Sequence, residues 1–308
     1  MTVLVTGGDG FVGRHLVAAL RAEGATVCAT WLPAEGRAGP LVDPGGVTWY
    51  PLQLTDPASV AALPLDGVEA VVHLAALASG AASFARPDLA WAVNAEATAR
   101  LAERVAARGG VRFLLASSAE VYGAAAGPLD ETAPIRPVSP YAASKAAAEL
   151  AARTVARCAG LPLIVARPFP HTGPGQPTQF VVPALAARLV AARSVGATHI
   201  PVGNLDVVRD LLDVRDVAQA YVRLLARGRP GATYNIASGT GHALREVFDR
   251  LARLLDVEVT PVVDPSLVRA VDIPSLIGDP SRLVAETGWR PAVPLDQTLQ
   301  DVVNAQAH

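Results

Sequence analysis

The sequence predicts an α/β protein, a doubly wound parallel sheet joined to a smaller C-terminal domain. Three observations carry that reading. Short apolar runs alternate with helical stretches through the first half of the 308 residues, as strands buried on both faces do. A glycine-rich turn, Gly7-Gly8-Asp9-Gly10-Phe11-Val12-Gly13, follows the first run and opens a helix. Beyond Arg167, Pro168, Pro170, Gly173, Pro174, Gly175 and Pro177 crowd one loop, a composition that marks a boundary.

In chain order, residues 3–6 form the first strand and 13–22 the helix behind it. Residues 25–31 and 47–52 make the second and third strands. Buried runs at 68–75 and 111–117 alternate with helices at 90–108 and 141–158, and 161–167 is a further strand. The first domain takes residues 1–167 and recovers 212–237, where 213–227 is helical. The remainder of 168–308 forms the second domain, ending in a cap beyond about residue 239. No internal repeat or low-complexity tail interrupts this plan.

Composition narrows the function classes. Net charge is -2, which gives no electrostatic reason to expect a nucleic acid partner. Mean hydropathy is high at +0.32, but alanine and valine supply it. The stretch between Glu69 and Arg86 holds His73, Ser79, Gly80 and Ser83 and is too short and polar to cross a bilayer. Met1-Thr2-Val3-Leu4-Val5 enters a strand with no basic leader segment, so a cytoplasmic protein is expected. Cys28 and Cys158 sit in apolar segments without metal-ligand spacing and read as buried free thiols. No metal site is expected.

The glycine turn stands between a strand and a helix, the context in which such a turn cradles a pyrophosphate. Gly7 and Gly10 let the backbone approach the phosphates, and Gly13 lets the helix pack closely on the strand. A nicotinamide dinucleotide is therefore the expected ligand, and the sheet is of Rossmann type. Tyr141-Ala-Ala-Ser-Lys145 adds the chemistry. Residues four apart share a helix face, so phenol and ammonium meet at one spot. The ammonium stabilises the phenolate, and bringing its pKa from about 10 to neutrality takes roughly 4 kcal/mol. Such a tyrosine exchanges a proton with a sugar hydroxyl or carbonyl while the nicotinamide exchanges the hydride. A lone Y-x-x-x-K is common by chance and would be a surface pair; the glycine turn and Ser118 change that. At the end of the second strand an acid favours NAD and an arginine NADP. Thr30, Trp31 and Leu32 are neither, and Arg14 and Arg37 are the nearest cations. The absence of an acid favours NADP(H), with NAD(H) as the alternative.

The G-x-x-G-x-x-G spacing, the Tyr141/Lys145 pair and Ser117-Ser118-Ala119-Glu120-Val121-Tyr122-Gly123 together resemble the extended short-chain dehydrogenase/reductase family, which modifies nucleotide sugars. The resemblance covers essentially the whole chain. It implies that Ser118, Tyr141 and Lys145 are catalytic, with Glu120 beside them. It places Gly7, Gly10, Phe11, Val12, Gly13, Thr30, Gln53, Leu54, Pro168, Tyr141 and Lys145 at the cofactor. His73-Leu74-Ala75-Ala76 matches the loop that passes over the cofactor, and Asn94 the residue that braces the central helix. Gln53 stands where relatives carry an aspartate for the adenine, and Asp56 competes for that role.

The second half looks like the GDP-sugar branch, through Arg167-Pro-Phe-Pro170-His171-Thr-Gly173-Pro-Gly175-Gln176, Val202-Gly203-Asn204-Leu205-Asp206-Val-Val-Arg209-Asp210 and Arg269-Ala-Val-Asp272-Ile-Pro274. It resembles that branch's 4-ketoreductases more closely than its 4,6-dehydratases. Substrate contacts are implied for Ser118, Glu120, His171, Phe180, Val202, Asn204, Arg209, Arg269 and Asp272. Arg209 and Arg269 would clamp the diphosphate by charge-assisted bonds. Pro170 departs from the pattern, because relatives carry asparagine and proline offers neither a side-chain amide nor an N–H. The implied activity is NAD(P)-dependent reduction of a nucleotide-linked 4-keto-6-deoxy-hexose at C4, with GDP as the favoured nucleotide. A 4-epimerase is the alternative on the same residues. A 4,6-dehydratase, which Glu120 permits, and a non-catalytic dinucleotide sensor stand behind it. The alanine-rich helices 90–108 and 141–158 permit close packing, and relatives build a four-helix dimer interface from them, so a homodimer is expected.

Overall fold

The computed structural model describes residues 1–268 and 271–306. Its first six strands are β1 (Thr2–Thr6), β2 (Thr26–Trp31), β3 (Thr48–Pro51), β4 (Ala70–His73), β5 (Arg112–Ala116) and β6 (Leu163–Pro168). They lie side by side in the order β3-β2-β1-β4-β5-β6, and Thr233–Ile236 completes a seven-stranded sheet beside β6. All six pairings are parallel. The strand order reverses between β1 and β4, which opens a crevice beyond their C-terminal ends.

Alternation along the strands decides which core each side chain joins. Val3 and Val5 enter one core with Leu16 and Leu20 of helix Phe11–Ala22 and Val217 and Leu224 of helix Val214–Arg227. Leu4 enters the other with Leu101 and Val105 of helix Ala97–Ala106 and Ala152 of helix Pro140–Ala159. Both faces are covered, so the central strands read as unbroken apolar runs. Leu283 and Trp289 also pack into the first core, so this late segment joins the sheet rather than the second domain expected for 168–308.

The second unit has its own core, formed by Leu189, Val202, Val247, Leu251 and Leu299, under helices Val181–Val195, Leu244–Leu254 and Leu295–Gln306. Short strands join it: Val208–Asp210 pairs with Gly241–Ala243 and Ser275–Leu276, and His199–Val202 with Thr260–Val263.

Three expectations differ from the structure. Residues 90–108 do not form one α-helix; Pro87–Ala90 runs into a π-helical turn, Trp91–Glu96, before Ala97–Ala106 begins. Cys28 is half-buried and Cys158 exposed, rather than both being buried. Several strands end before the apolar runs do, because the last residues of each run leave the ladder to build loops at the crevice. No described helix is long and apolar enough to cross a membrane.

The densest point is the turn after β1. A Cβ on Gly13 would stand 2.0 Å from the Gly7 carbonyl oxygen, so strand end and helix start are in backbone contact. Gly13→Ala must push them apart and is expected to cost at least the about 1–3 kcal/mol typical of overpacking. Thermal denaturation reads this directly, and an unchanged melting temperature would show that the contact is dispensable.

Candidate active site

The glycine turn presents backbone, not side chains. Gly7 has φ +67°, and a Cβ there would come within 3.0 Å of Ala75, so the β1 and β4 loops touch across the switch point. Leu74 and Ala76 flank that contact, half-buried. Gly10 begins helix Phe11–Ala22 with no side-chain cap and no acid in the first turn. Its first amide groups are therefore left for an anion, and the turn fits a pyrophosphate.

Thr30 has a different task from the one expected. It is 1 % exposed; its hydroxyl accepts from the Gly7 amide at 3.0 Å and its carbonyl from Gly8 at 2.9 Å. Its side chain shapes the turn instead of meeting a ribose. The group presented at the end of β2 is Arg37, which donates to Asp9 of the turn and to the Gly39 carbonyl at 2.7 Å. Its guanidinium lies 5.4 Å from the centroid of the Trp31 ring. Gln53 is exposed, with its backbone amide on Ser59 Oγ. Leu54 spends its side chain in the core, and Asp56 caps the next short helix through the Ala58 amide.

Ser139 and Pro140 start the central helix, Pro140–Ala159, with the serine accepting from the Ala142 amide. That cap sets Tyr141 and Lys145 on the inward face, both nearly buried. Ser118 is hydrogen-bonded to the Tyr141 phenol and accepts from the Glu120 amide at 3.2 Å. Lys145 Nζ donates to the Ala116 carbonyl at 2.7 Å. The expectation that Lys145 depresses the Tyr141 pKa is not met. Burial and the neighbouring Glu120 charge push the phenol up, against a smaller opposing effect of the Ser118 bond. Lys145 itself is pulled down to about 8 by burial, with the Glu149 charge opposing.

Asn94 braces this helix from the π-helical turn. Its amide donates to Ser144 Oγ at 2.9 Å and to the Leu77 carbonyl at 3.2 Å, and its oxygen accepts from the Leu77 amide at 2.8 Å. π-turns recur at functional sites because the extra residue re-aims a side chain. Ser83 adds a further brace, accepting from the Tyr141 amide at 3.0 Å.

A cavity of about 320 Å³ is lined by Glu120 and by Ser139 at the start of the Tyr141 helix, together with Pro170, Arg209, Val268 and Asp272. Arg209 donates to Asp272 Oδ1 at 2.8 Å and to the Ile273 and Val208 carbonyls at 2.7 and 2.9 Å. Three expected contacts lie elsewhere. Val202 is fully buried in the second core. Asn204 closes a turn on the Asp206 amide. His171 donates through Nδ1 to the Phe169 carbonyl and stacks on Phe11, with ring centroids 6.2 Å apart. Phe180 is half-buried at the start of helix Val181–Val195, Pro168 ends β6, and Arg269 lies outside the described residues. Among the described residues no group of three metal-ligating side chains converges. Sequence reasoning missed Asp9, Ser83 and the apolar wall Leu267, Val268 and Leu276, for which no local pattern gives a signal.

The sequence profile of the NAD dependent epimerase/dehydratase family matches residues 3–237. The chain belongs to this family. It is 37% identical to GDP-6-deoxy-D-mannose reductase of Pseudomonas aeruginosa over 98% of this chain and 96% of that one. Among solved structures, RMD from Pseudomonas aeruginosa complexed with NADPH superposes with TM-score 0.85 at 35% identity, covering 99% of this chain and 98% of that one. UDP-glucose 4-epimerase of Thermus thermophilus, in complex with NAD, gives TM-score 0.89 at 32% identity, covering 100% and 99%. Members with reductive and with epimerising chemistry thus share this scaffold.

Proposed function

We propose that the protein is an NAD(P)-dependent reductase of a GDP-linked 4-keto-6-deoxy-hexose, yielding GDP-6-deoxy-D-mannose or its C4 epimer. The observation that carries this reading is the closeness of Ser118 and Glu120 to the Tyr141 phenol, with Glu120 lining a cavity that Arg209 and Asp272 also line. The full-length similarity to GDP-6-deoxy-D-mannose reductase supports it. When bound, the dinucleotide supplies the hydride for C4.

The chain's own groups do the rest. Ser118 accepts with its oxygen from the Glu120 amide and turns its O–H from the Tyr141 phenol to the sugar carbonyl, which it polarises. Tyr141, which holds its proton, donates it to the carbonyl oxygen. Lys145 offers an ammonium to the ribose and to the phenolate left behind. Arg209, oriented by Asp272, meets the diphosphate. Arg37, over Trp31 beside the turn, exchanges its bond to Asp9 for a 2′-phosphate, which favours NADP(H).

Tyr141→Phe is expected to lower kcat by about 10²–10⁴-fold and Ser118→Ala by on the order of 10²-fold. Arg209→Ala should raise KM for the nucleotide sugar and spare cofactor affinity. The assay is NADPH consumption with GDP-4-keto-6-deoxy-mannose, with product configuration read by NMR. A wild-type enzyme that leaves NADPH untouched yet interconverts C4 epimers of a saturated nucleotide sugar would replace the reductase with an epimerase.

Arg37→Ala tests the cofactor. Loss of a bidentate charge-assisted contact should weaken NADPH by on the order of tenfold or more and leave NADH nearly unchanged. Calorimetric titration of both cofactors decides it; equal losses would remove Arg37 from the phosphate site.

A homodimer completes the proposal. Trp91 and Leu150 stand 45% and 64% exposed on two helical segments that pack together, and a second copy would cover them. Light scattering should give a dimer for the native chain and a monomer for Trp91→Glu/Leu150→Glu. A native monomer at micromolar concentration would refute it.

A further inference from the structure

Beneath the trio lies a buried polar cluster that the proposed reaction does not consume. Glu149, 2 % exposed, sits one helical turn beyond Lys145. Its Oε1 accepts from Ser117 Oγ at 2.5 Å and Arg167 Nε at 2.8 Å, and its Oε2 accepts from Arg167 Nη2 at 2.7 Å. Arg153 stands 3.8 Å from the same carboxylate. Arg167 is also buried, donates to the Tyr122 hydroxyl at 3.0 Å and lies over that ring. One carboxylate therefore pairs with two cations, Arg153 and Arg167, and its charge acts through space on a third, Lys145, one turn away.

We propose that Glu149 is a positioning residue that keeps Lys145 protonated within the crevice and, through Ser117, fixes the end of β5 that carries Ser118. The inference rests on the cofactor-binding role proposed for Lys145. The other ionisable groups facing Lys145 cannot take over the task. His73 on β4 is held neutral, down to about 3, by burial and then by Lys145 itself. Tyr141 on the same helix keeps its proton, and Glu120 on the following turn acts on that phenol. Tyr122 is turned towards Arg167 and Asn235. Without Glu149, Lys145 would lose the charge that opposes its burial, and its charged form would weaken further.

The sign follows. Burial pulls Lys145 down to about 8, and the Glu149 charge opposes that pull. The ammonium is therefore complete below this pH and is lost as pH rises through it. NADPH affinity, read by fluorescence titration across pH, should be flat on the acid side and fall above about 8 in the wild type. Glu149→Gln should move the break down by about one unit or more, so that affinity near that pH drops about tenfold and recovers in acid. Glu149→Asp keeps the charge and should restore the break. Ser117→Ala keeps the carboxylate and should leave the break in place while lowering kcat several-fold. If Glu149→Gln does not fold, Glu149→Gln/Arg167→Met, which removes the buried guanidinium together with its carboxylate, carries the test and should again move the break down. A break that stays in place without Glu149 overturns the proposal. So does a break that moves equally in Ser117→Ala, which would mark general loosening of the site. A wild type that binds neither NADPH nor NADH would instead overturn the proposed function.

Discussion

In the proposed reaction a lysine ammonium has to stay charged inside a crevice that solvent hardly reaches, and the residues around it can be understood from that requirement. Lys145 is 5 % exposed, and an isolated buried charge is costly enough that the group would shed its proton. The structure meets the need with the Ala116 carbonyl at 2.7 Å and a carboxylate one turn away. Neither can act unless the central helix stands in one rotation and one depth against the sheet. Asn94 supplies that constraint from the neighbouring helical segment, tying Ser144 to both backbone groups of Leu77. The π-helical turn is where a straight helix has been given up to aim this one amide.

The sheet decides where such a site has to be. Its strand order reverses between β1 and β4, so the loops leaving those strands part and expose their C-terminal ends. Glycine is needed there because backbones touch: Gly7 against Ala75, and Gly13 against Gly7 itself. Thr30 fastens the same turn from β2, through both its hydroxyl and its carbonyl. Ser118, Tyr141 and Lys145 arrive from β5 and the following helix on the same edge. The glycine turn and the Ser118/Tyr141/Lys145 group, to which phosphate binding and proton transfer are proposed, are thus neighbours because the topology ends them at one place.

Local patterns are legible in the sequence to the extent that local physics sets them. Strand and helix alternation, the glycine turn and the four-residue spacing of Tyr141 and Lys145 depend on neighbours a few residues away. Contacts between distant segments are not legible. Arg167 and Glu149 come together from a strand and a helix, and nothing in either stretch announces a buried pair. A carboxylate four residues after Lys145 on an alanine-rich helix is a visible hint of an inward charge. The position of Thr30 at a strand end suggests a place at the cofactor, and the structure shows its hydroxyl accepting from the Gly7 amide of the turn. The motif around Val202 suggests a substrate contact, but period-two alternation along His199–Val202 turns it inward. The π-turn within 90–108 escapes because its apolar spacing is close to that of an α-helix.

What remains is the direction of proton flow, since one trio serves both reduction and epimerisation. The segment 118–120 acts on Tyr141 in two opposing ways. The Ser118 bond favours the phenolate, while the Glu120 charge, together with burial, favours the phenol. Burial and Glu120 prevail, so Tyr141 holds its proton. The same shift makes the phenol a weaker acid, so the proposed donation to a ketone needs that pKa brought down when the ligands bind. Glu120, which shares in raising it, also lines the cavity. A nucleotide sugar occupying that cavity would sit between Glu120 and Arg209. The charge that biases Tyr141 and the cation proposed to hold the diphosphate thus line one space, which ties the proposed substrate binding to the proposed proton donation.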